Sequence, residues 1–146
     1  MSSRDIEFRL GDWESLRALA SPVRFAVFVS EQGIDPAIEI DQFDPVSIHC
    51  VALSGTRPIG ASRLLPDGHI GRMAVLAEYR RLQIGGGMLE RLIAAAIERG
   101  NQKIRLNAQA YVEGFYLRHG FVREGENFML EGIDHVSMSR EGLLKR

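Results

Sequence analysis

Cysteine is nearly absent: Cys50 is the only one among 146 residues, which excludes an intrachain disulfide and a four-cysteine zinc site. No run approaches the roughly 18 apolar residues that span a bilayer. The first residues hold no apolar signal core, because Arg4, Asp5, Glu7, Arg9, Asp12 and Glu14 interrupt it. Net charge is −1, from 18 basic and 19 acidic side chains, so no global field draws in nucleic acid or anionic lipid. Aromatics are 8% and are not interleaved with basic residues, which also speaks against nucleic acid. The histidines at 49, 69, 119 and 135 show no ligand spacing, so no metal is expected. What remains is the composition of a globular protein with a core, 45% hydrophobic. A cytoplasmic location is expected, and a homodimer is compatible with the sequence. Lysine is scarce in turn: 16 of the 18 basic residues are Arg, the planar fork that suits phosphate and carboxylate.

There is no linker, charge block or internal repeat, and residues 4–140 read as one unit. Ile6, Phe8 and Leu10 alternate with Glu7 and Arg9, predicting a strand. Asp12 then caps a helix from Trp13, and Pro22 starts a second one, Val23 to about Glu31. Gly33 to Val46, with two prolines and four acids, reads as a loop. Strands at 48–53, 59–65 and 69–76 are joined by Gly55-Thr56-Arg57-Pro58 and Pro66-Asp67-Gly68, an antiparallel meander. Met88, Leu89, Leu92, Ile93, Ala96 and Ile97 recur at helical spacing up to Gly100, the expected C-cap. A strand at 103–109, a helix at 112–119 and two final strands joined at Glu124-Gly125-Glu126-Asn127 complete the order βααβββαβαββ. The expected class is α/β: a mixed, mostly antiparallel central sheet flanked by helices, with at least one parallel contact.

The most informative stretch is Arg80-Arg81-Leu82-Gln83-Ile84-Gly85-Gly86-Gly87-Met88, which leaves a strand and opens a helix. Glycines admit a bulky anion close to the backbone, and the free N–H groups of a first helical turn point at it. Two arginines add charge for phosphate. A nucleoside-triphosphate loop would need Gly-Lys-Ser or Gly-Lys-Thr, and Met88 follows Gly87. A dinucleotide fingerprint would need a third glycine where Glu90 stands. The ordinary alternative, a tight helix-start turn, leaves the arginines unexplained.

The loop resembles that of the GCN5-related N-acetyltransferase (GNAT) family, Arg/Gln-x-x-Gly-x-Gly/Ala, with Gln83 in place of the first glycine. Gln83 is expected either to hold a right-handed backbone or to rely on Gly86 and Gly87 for flexibility. Gly71-Arg72-Met73-Ala74-Val75 resembles the family's fourth strand, and Gly114-Phe115-Tyr116-Leu117-Arg118-His119-Gly120-Phe121 resembles its FY…GF segment. Val27-Phe28-Val29-Ser30-Glu31-Gln32, with Glu39, Asp41, Asp44 and His49, resembles an ElaA-like subgroup. The resemblance implies one acetyltransferase domain over residues 1–146. It implies acetyl-CoA as cosubstrate, held by Met73, Ala74, Val75, Arg80, Arg81, Gln83, Ile84, Gly85, Gly86, Gly87, Asn107, Phe115 and Tyr116. It further implies a splayed strand pair around the pantetheine arm, and direct transfer to a small-molecule amine through a tetrahedral intermediate.

Such transfer needs a neutral amine, a stabilised oxyanion and a proton for the departing thiolate. Tyr116 is the expected donor, since a phenol of pKa about 10 lies above a thiol of about 8.5. Glu31, Glu39, Asp41, Asp44, His49 and His135 are the candidate bases. Glu39 and His49 are assigned to catalysis, and Glu31, Glu39, Asp41 and His135 to the acceptor. Glu39 and Asp41, two apart, would form an anionic pocket for a cationic acceptor. Cys50 would point away from His49 on a strand, which disfavours a nucleophilic pair. Two rivals stand. One is an acyltransferase of the acyl-homoserine-lactone synthase type, whose carrier-protein donor would not need the loop. The other is a non-catalytic acyl-CoA sensor.

Overall fold

Ile6 and Phe8 turn inward from the first strand, β1 (Ile6–Gly11), and the computed structural model describes residues 5–142. Asp12 caps α1 (Trp13–Arg24) by accepting the Ser15 N–H at 2.8 Å. Pro22 starts no new helix. It lies inside α1, and the rod continues directly into a π-helix over Phe25–Glu31, where Gln32 N–H reaches the Val27 carbonyl five residues back. Burial of Ala20, Val23 and Arg24 holds this rod together across the proline. The stretch expected as a loop contains a short helix, α2 (Pro36–Glu39), capped by Asp35, and a 3₁₀ turn at Asp44–Val46. Glu39 and Asp44 are drawn inward there by buried arginines.

The meander forms as predicted: β2 (Ile48–Ser54), β3 (Arg57–Leu64) and β4 (His69–Val75) are antiparallel neighbours. α3 (Ile84–Arg99) ends at Gly100 with φ 94°, the left-handed C-cap. Then come β5 (Lys103–Gln109) and α4 (Glu113–Arg118). The tail holds three strands rather than two: β6 (Val122–Arg123), β7 (Phe128–Leu130) and β8 (Ile133–Glu141). The missed turn is Glu131-Gly132, both at positive φ, a two-residue hairpin between paired Leu130 and Ile133.

The sheet order is β1-β2-β3-β4-β5-β8-β6, with β7 on β8. α3 packs on one face, where Met88, Leu89 and Leu92 meet Cys50, Ala52, Ile59 and Leu64. α1 packs on the other, with Trp13, Leu16, Ala20 and Val23 against Val51, Ala61 and Ala74. Each large buried side chain contributes about 1.5–3 kcal/mol. The only parallel contact among the described residues, β4 with β5, is brief: it pairs His69 with Arg105 and Ile70 with Leu106, then ends. Beyond that point the two strands diverge, opening the sheet.

Candidate active site

The divergence produces a cleft of about 1200 Å³ that passes between β4 and β5 and is open toward both helical layers. On the α3 side it is lined by Tyr79 to Arg81, Gln83 to Gly87, Phe115, Tyr116 and His119. On the α1 side it is lined by Phe28, Gln32, Ile34, Arg63, Arg72, Asn107, Gln109 and His135.

No side chain caps the N-terminus of α3, and its first main-chain bond runs from Gly87 N–H to the Gln83 carbonyl at 3.1 Å. Ile84, Gly85 and Gly86 therefore present unpaired N–H groups at the positive end of a 16-residue helix. The three glycines do different jobs. A Cβ at Gly85 or Gly86 would meet only ordinary contacts with Phe115 and His119, 3.5 Å or more away. At Gly87 it would run into the Phe8 ring, so Gly87 is glycine for packing against β1. Gln83 is not right-handed: it sits at φ 61°, ψ 25°, doing the work of the family's glycine at a cost of about 1–2 kcal/mol.

Of the two arginines, Arg81 makes no ion pair among the described residues and is exposed. Arg80 is engaged: its Nε donates to the Val75 carbonyl at 2.9 Å, and both terminal nitrogens hold the Glu31 carboxylate at 2.8 Å. Glu31, expected at the acceptor, is held by Arg80 beside the loop that opens α3, and this hydrogen-bonded pair lowers the Glu31 pKa.

β4 carries a bulge opposite Ser62, where Arg72 adopts φ 49°. Leu76 N–H bonds the Ile59 carbonyl, so by alternation the Val75 main chain turns away from β3 and toward the cleft. Met73 and Val75 pack toward α3, and Ala74 is buried beneath α1. Asn107 lines the cleft from β5 and accepts the Ser137 hydroxyl at 2.9 Å. Tyr116 is 9% exposed, edge-on to Phe115 and Phe121, and its hydroxyl makes no hydrogen bond among the described residues. Burial raises its pKa to about 12.

The acceptor side departs most from expectation. Glu39, Asp41 and Asp44 form no anionic pocket. Arg24 holds Glu39 at 2.8 Å and Asp44 at 2.7 Å, Arg63 holds Asp41 at 2.6 Å and Asp44 at 2.9 Å, and Arg72 reaches Glu39 and Asp41. Three guanidinium groups balance three carboxylates, so the pocket charge vanishes. Asp41 itself does not line the cleft. His49 is also outside it: fully buried under α1, its ring lies 4.8 Å from the Trp13 ring and its Nε2 is 2.9 Å from the Asp44 carbonyl. Burial lowers its pKa, which keeps it neutral. Cys50, on the opposite face as expected, is a core thiol pushed up to about 12 by burial. His135 does line the cleft. Its Nδ1 donates to the Ile133 carbonyl at 2.7 Å, which leaves Nε2 as a bare acceptor, while Phe128 stacks on the ring.

Residues 21–141 match the Acetyltransferase (GNAT) domain family. This chain belongs to the GNAT acetyltransferase family. The GNAT chain is 36% identical to the uncharacterized N-acetyltransferase YjcF of Bacillus subtilis over 123 residues, 82% of this chain and 88% of YjcF. Escherichia coli ElaA superposes with a TM-score of 0.84 at 25% identity, covering 93% of this chain and 99% of ElaA. BjaI, a CoA-dependent acyl-homoserine lactone synthase, shares the GNAT fold at 15% identity and TM-score 0.77, over 93% of this chain and 83% of BjaI. Among the described residues no helix is long and apolar enough to cross a membrane, and no group of three or more His, Cys, Asp or Glu could hold a metal ion.

Arg24, Arg63, Arg72, Gln32, Gln109 and His119 were not legible as site or site-supporting residues. Their partners lie far off in sequence: Arg24 to Asp44 spans 20 positions and Arg72 to Asp41 spans 31. The sole advance signal was the excess of arginine over lysine.

Proposed function

We propose that this GNAT protein transfers an acetyl group from acetyl-CoA directly to the amine of a small molecule. The observation that carries the proposal is the uncapped start of α3 beside a sheet split between β4 and β5. Bound there, acetyl-CoA supplies an activated acyl thioester. The N–H groups of Ile84 to Gly86 and the Arg81 guanidinium hold the diphosphate. Arg80 joins them by exchanging Glu31 for phosphate. The exposed edge of β4 from Met73 to Val75 and the Asn107 side chain hold the pantetheine arm, and the Val75 N–H faces the carbonyl oxygen as charge develops.

His135 is the base in this reading. Its Nε2 takes the ammonium proton and passes it to solvent, and the neutral amine adds to the thioester carbonyl. As the tetrahedral intermediate loses its C–S bond, the second proton leaves nitrogen through His135 for the departing thiolate or solvent. Glu39 keeps one oxygen, Oε1, without a hydrogen bond among the described residues, but its role is to fix the arginines. Tyr116 donates a hydrogen bond to the departing sulfur. With a pKa near 12 it stays protonated and stabilises the thiolate, rather than giving up its proton outright.

Tyr116→Phe tests this. Turnover on an amine panel should fall about 100-fold, with CoA affinity by calorimetry little changed. Equal turnover removes Tyr116 from the mechanism, and CoA binding without turnover of any amine by the wild-type protein favours the sensor.

A further inference from the structure

The acceptor side of the cleft bears a surplus of hydrogen-bond donors where a pocket for a plain cation would bear acceptors. Arg72 projects there from the bulge of β4, with a guanidinium fixed on three sides. Nε donates to the Glu39 carbonyl at 3.1 Å, and Nη2 reaches Asp41 at 3.1 Å and the Ile38 carbonyl at 3.4 Å. Nη1 makes no hydrogen bond among the described residues, yet it is not sealed from solvent, and Arg72 lines the cleft. Its neighbour Arg63, also in the cleft wall and 5% exposed, has a buried Nε with no partner.

Of the six carboxylate oxygens in this cluster, only Glu39 Oε1 is without a hydrogen bond among the described residues. Both oxygens of Asp41 and of Asp44 already accept two hydrogen bonds each. Burial, with a smaller contribution from the adjacent Arg63, lowers the Arg72 pKa against the opposing pull of Asp41 and Glu39. Arg72 also holds a left-handed backbone inside a strand, a strained placement of the kind that persists where surrounding contacts over-determine it. The cleft is also lined by the exposed Glu131 carboxylate and the bare Nε2 of His135.

We propose that the acceptor is an amine that also carries a carboxylate, the carboxylate docking on the Arg72 guanidinium and the amine directed to His135 and Glu131. This rests on the acetyltransferase reading and names its substrate class. A guanidinium already fixed by three contacts loses little freedom on binding a carboxylate and selects for its geometry. A site built to bond such a group discriminates strongly against an analogue that lacks it.

The test uses matched sets on the wild-type protein: lysine against cadaverine, and phenylalanine against phenethylamine and phenylalaninamide, with CoA release as readout. The expected result is kcat/KM at least about tenfold higher for the α-carboxylate member of a pair that is turned over at all. Arg72→Lys should narrow that preference, chiefly through KM, while CoA affinity is kept. If the decarboxylated or amidated partners are used as well or better, the carboxylate inference is overturned and the acetyltransferase reading stands. If CoA binds and no amine in either set is acetylated, the acetyltransferase reading fails instead. Because the pairs are compared on the unaltered protein, a folding defect in the variant does not blunt the test.

Discussion

Asp44 shows how a single carboxylate organises the acceptor side. It accepts from Arg24, Arg63 and the Asp41 N–H while wholly buried, and although burial opposes ionisation, these bonds hold its pKa down at about 2. His49, beside it, is depressed by burial. Both shifts have the same sign. The unfolded chain takes up protons at higher pH than the folded one, so acid favours unfolding. For His49 the stabilisation is complete above about pH 6.5 and is lost as pH falls below it. For Asp44 it is complete above about pH 4 and is lost on approach to pH 2, on the order of 2 kcal/mol. Urea unfolding followed from pH 7 to pH 3 should therefore show stability falling in two windows, and Asp44→Asn should flatten the lower one. A stability that rises with acid over this range would contradict the assignment.

At the scale of elements, the helix start separates two jobs that one run of glycines conceals. Gly87 is required by the Phe8 ring, whereas a Cβ at Gly85 or Gly86 would meet only ordinary contacts with Phe115 and His119. Gly87→Ala should lower stability by about 1–3 kcal/mol and leave the affinity of the folded fraction for CoA nearly intact. Gly86→Ala should do the reverse, leaving the melting temperature near that of the parent and weakening CoA several-fold by crowding the approach to the amides. Thermal melts paired with calorimetry check both, and a common loss of affinity in the two variants would remove the distinction.

This scale also shows what local pattern could reveal. The alternation of Ile104, Leu106 and Ala108 fixed β5 to the residue, and the apolar spacing from Met88 to Ile97 with Gly100 fixed the body and end of α3. The π-helix was hidden because Pro22 reads locally as a helix start, while the contacts that carry the rod through it are tertiary. The β7–β8 hairpin was hidden because Glu131 holds a left-handed turn position more often filled by Asn, Asp or Gly.

Across the whole molecule, one sheet supports two unlike walls. The α3 side is built from local sequence, a loop and a helix start, and so its geometry was readable in order along the chain. The α1 side is built from Arg24, Glu39, Asp41, Asp44, Arg63 and Arg72, which four separate segments contribute. Counting charges along the loop suggested an anionic pocket, and only the fold brings in the guanidinium groups that cancel it. Breaking such a buried network by removing one partner is costly, so the wall is rigid as well as neutral. Glu31 and Arg80 tie the end of the π-helix to the loop that opens α3, so the two walls are linked there.

In the proposed function, unpaired amides at the head of α3, with Arg81 beside them, dock the diphosphate of coenzyme A. Calorimetric titration of the purified protein with CoA and, separately, with pantetheine tests it most directly. The account predicts saturable binding of CoA, weakened by salt and by Gly86→Ala, and affinity for pantetheine lower by at least about tenfold. Equal affinity for the two ligands, or no heat with millimolar CoA, would contradict it.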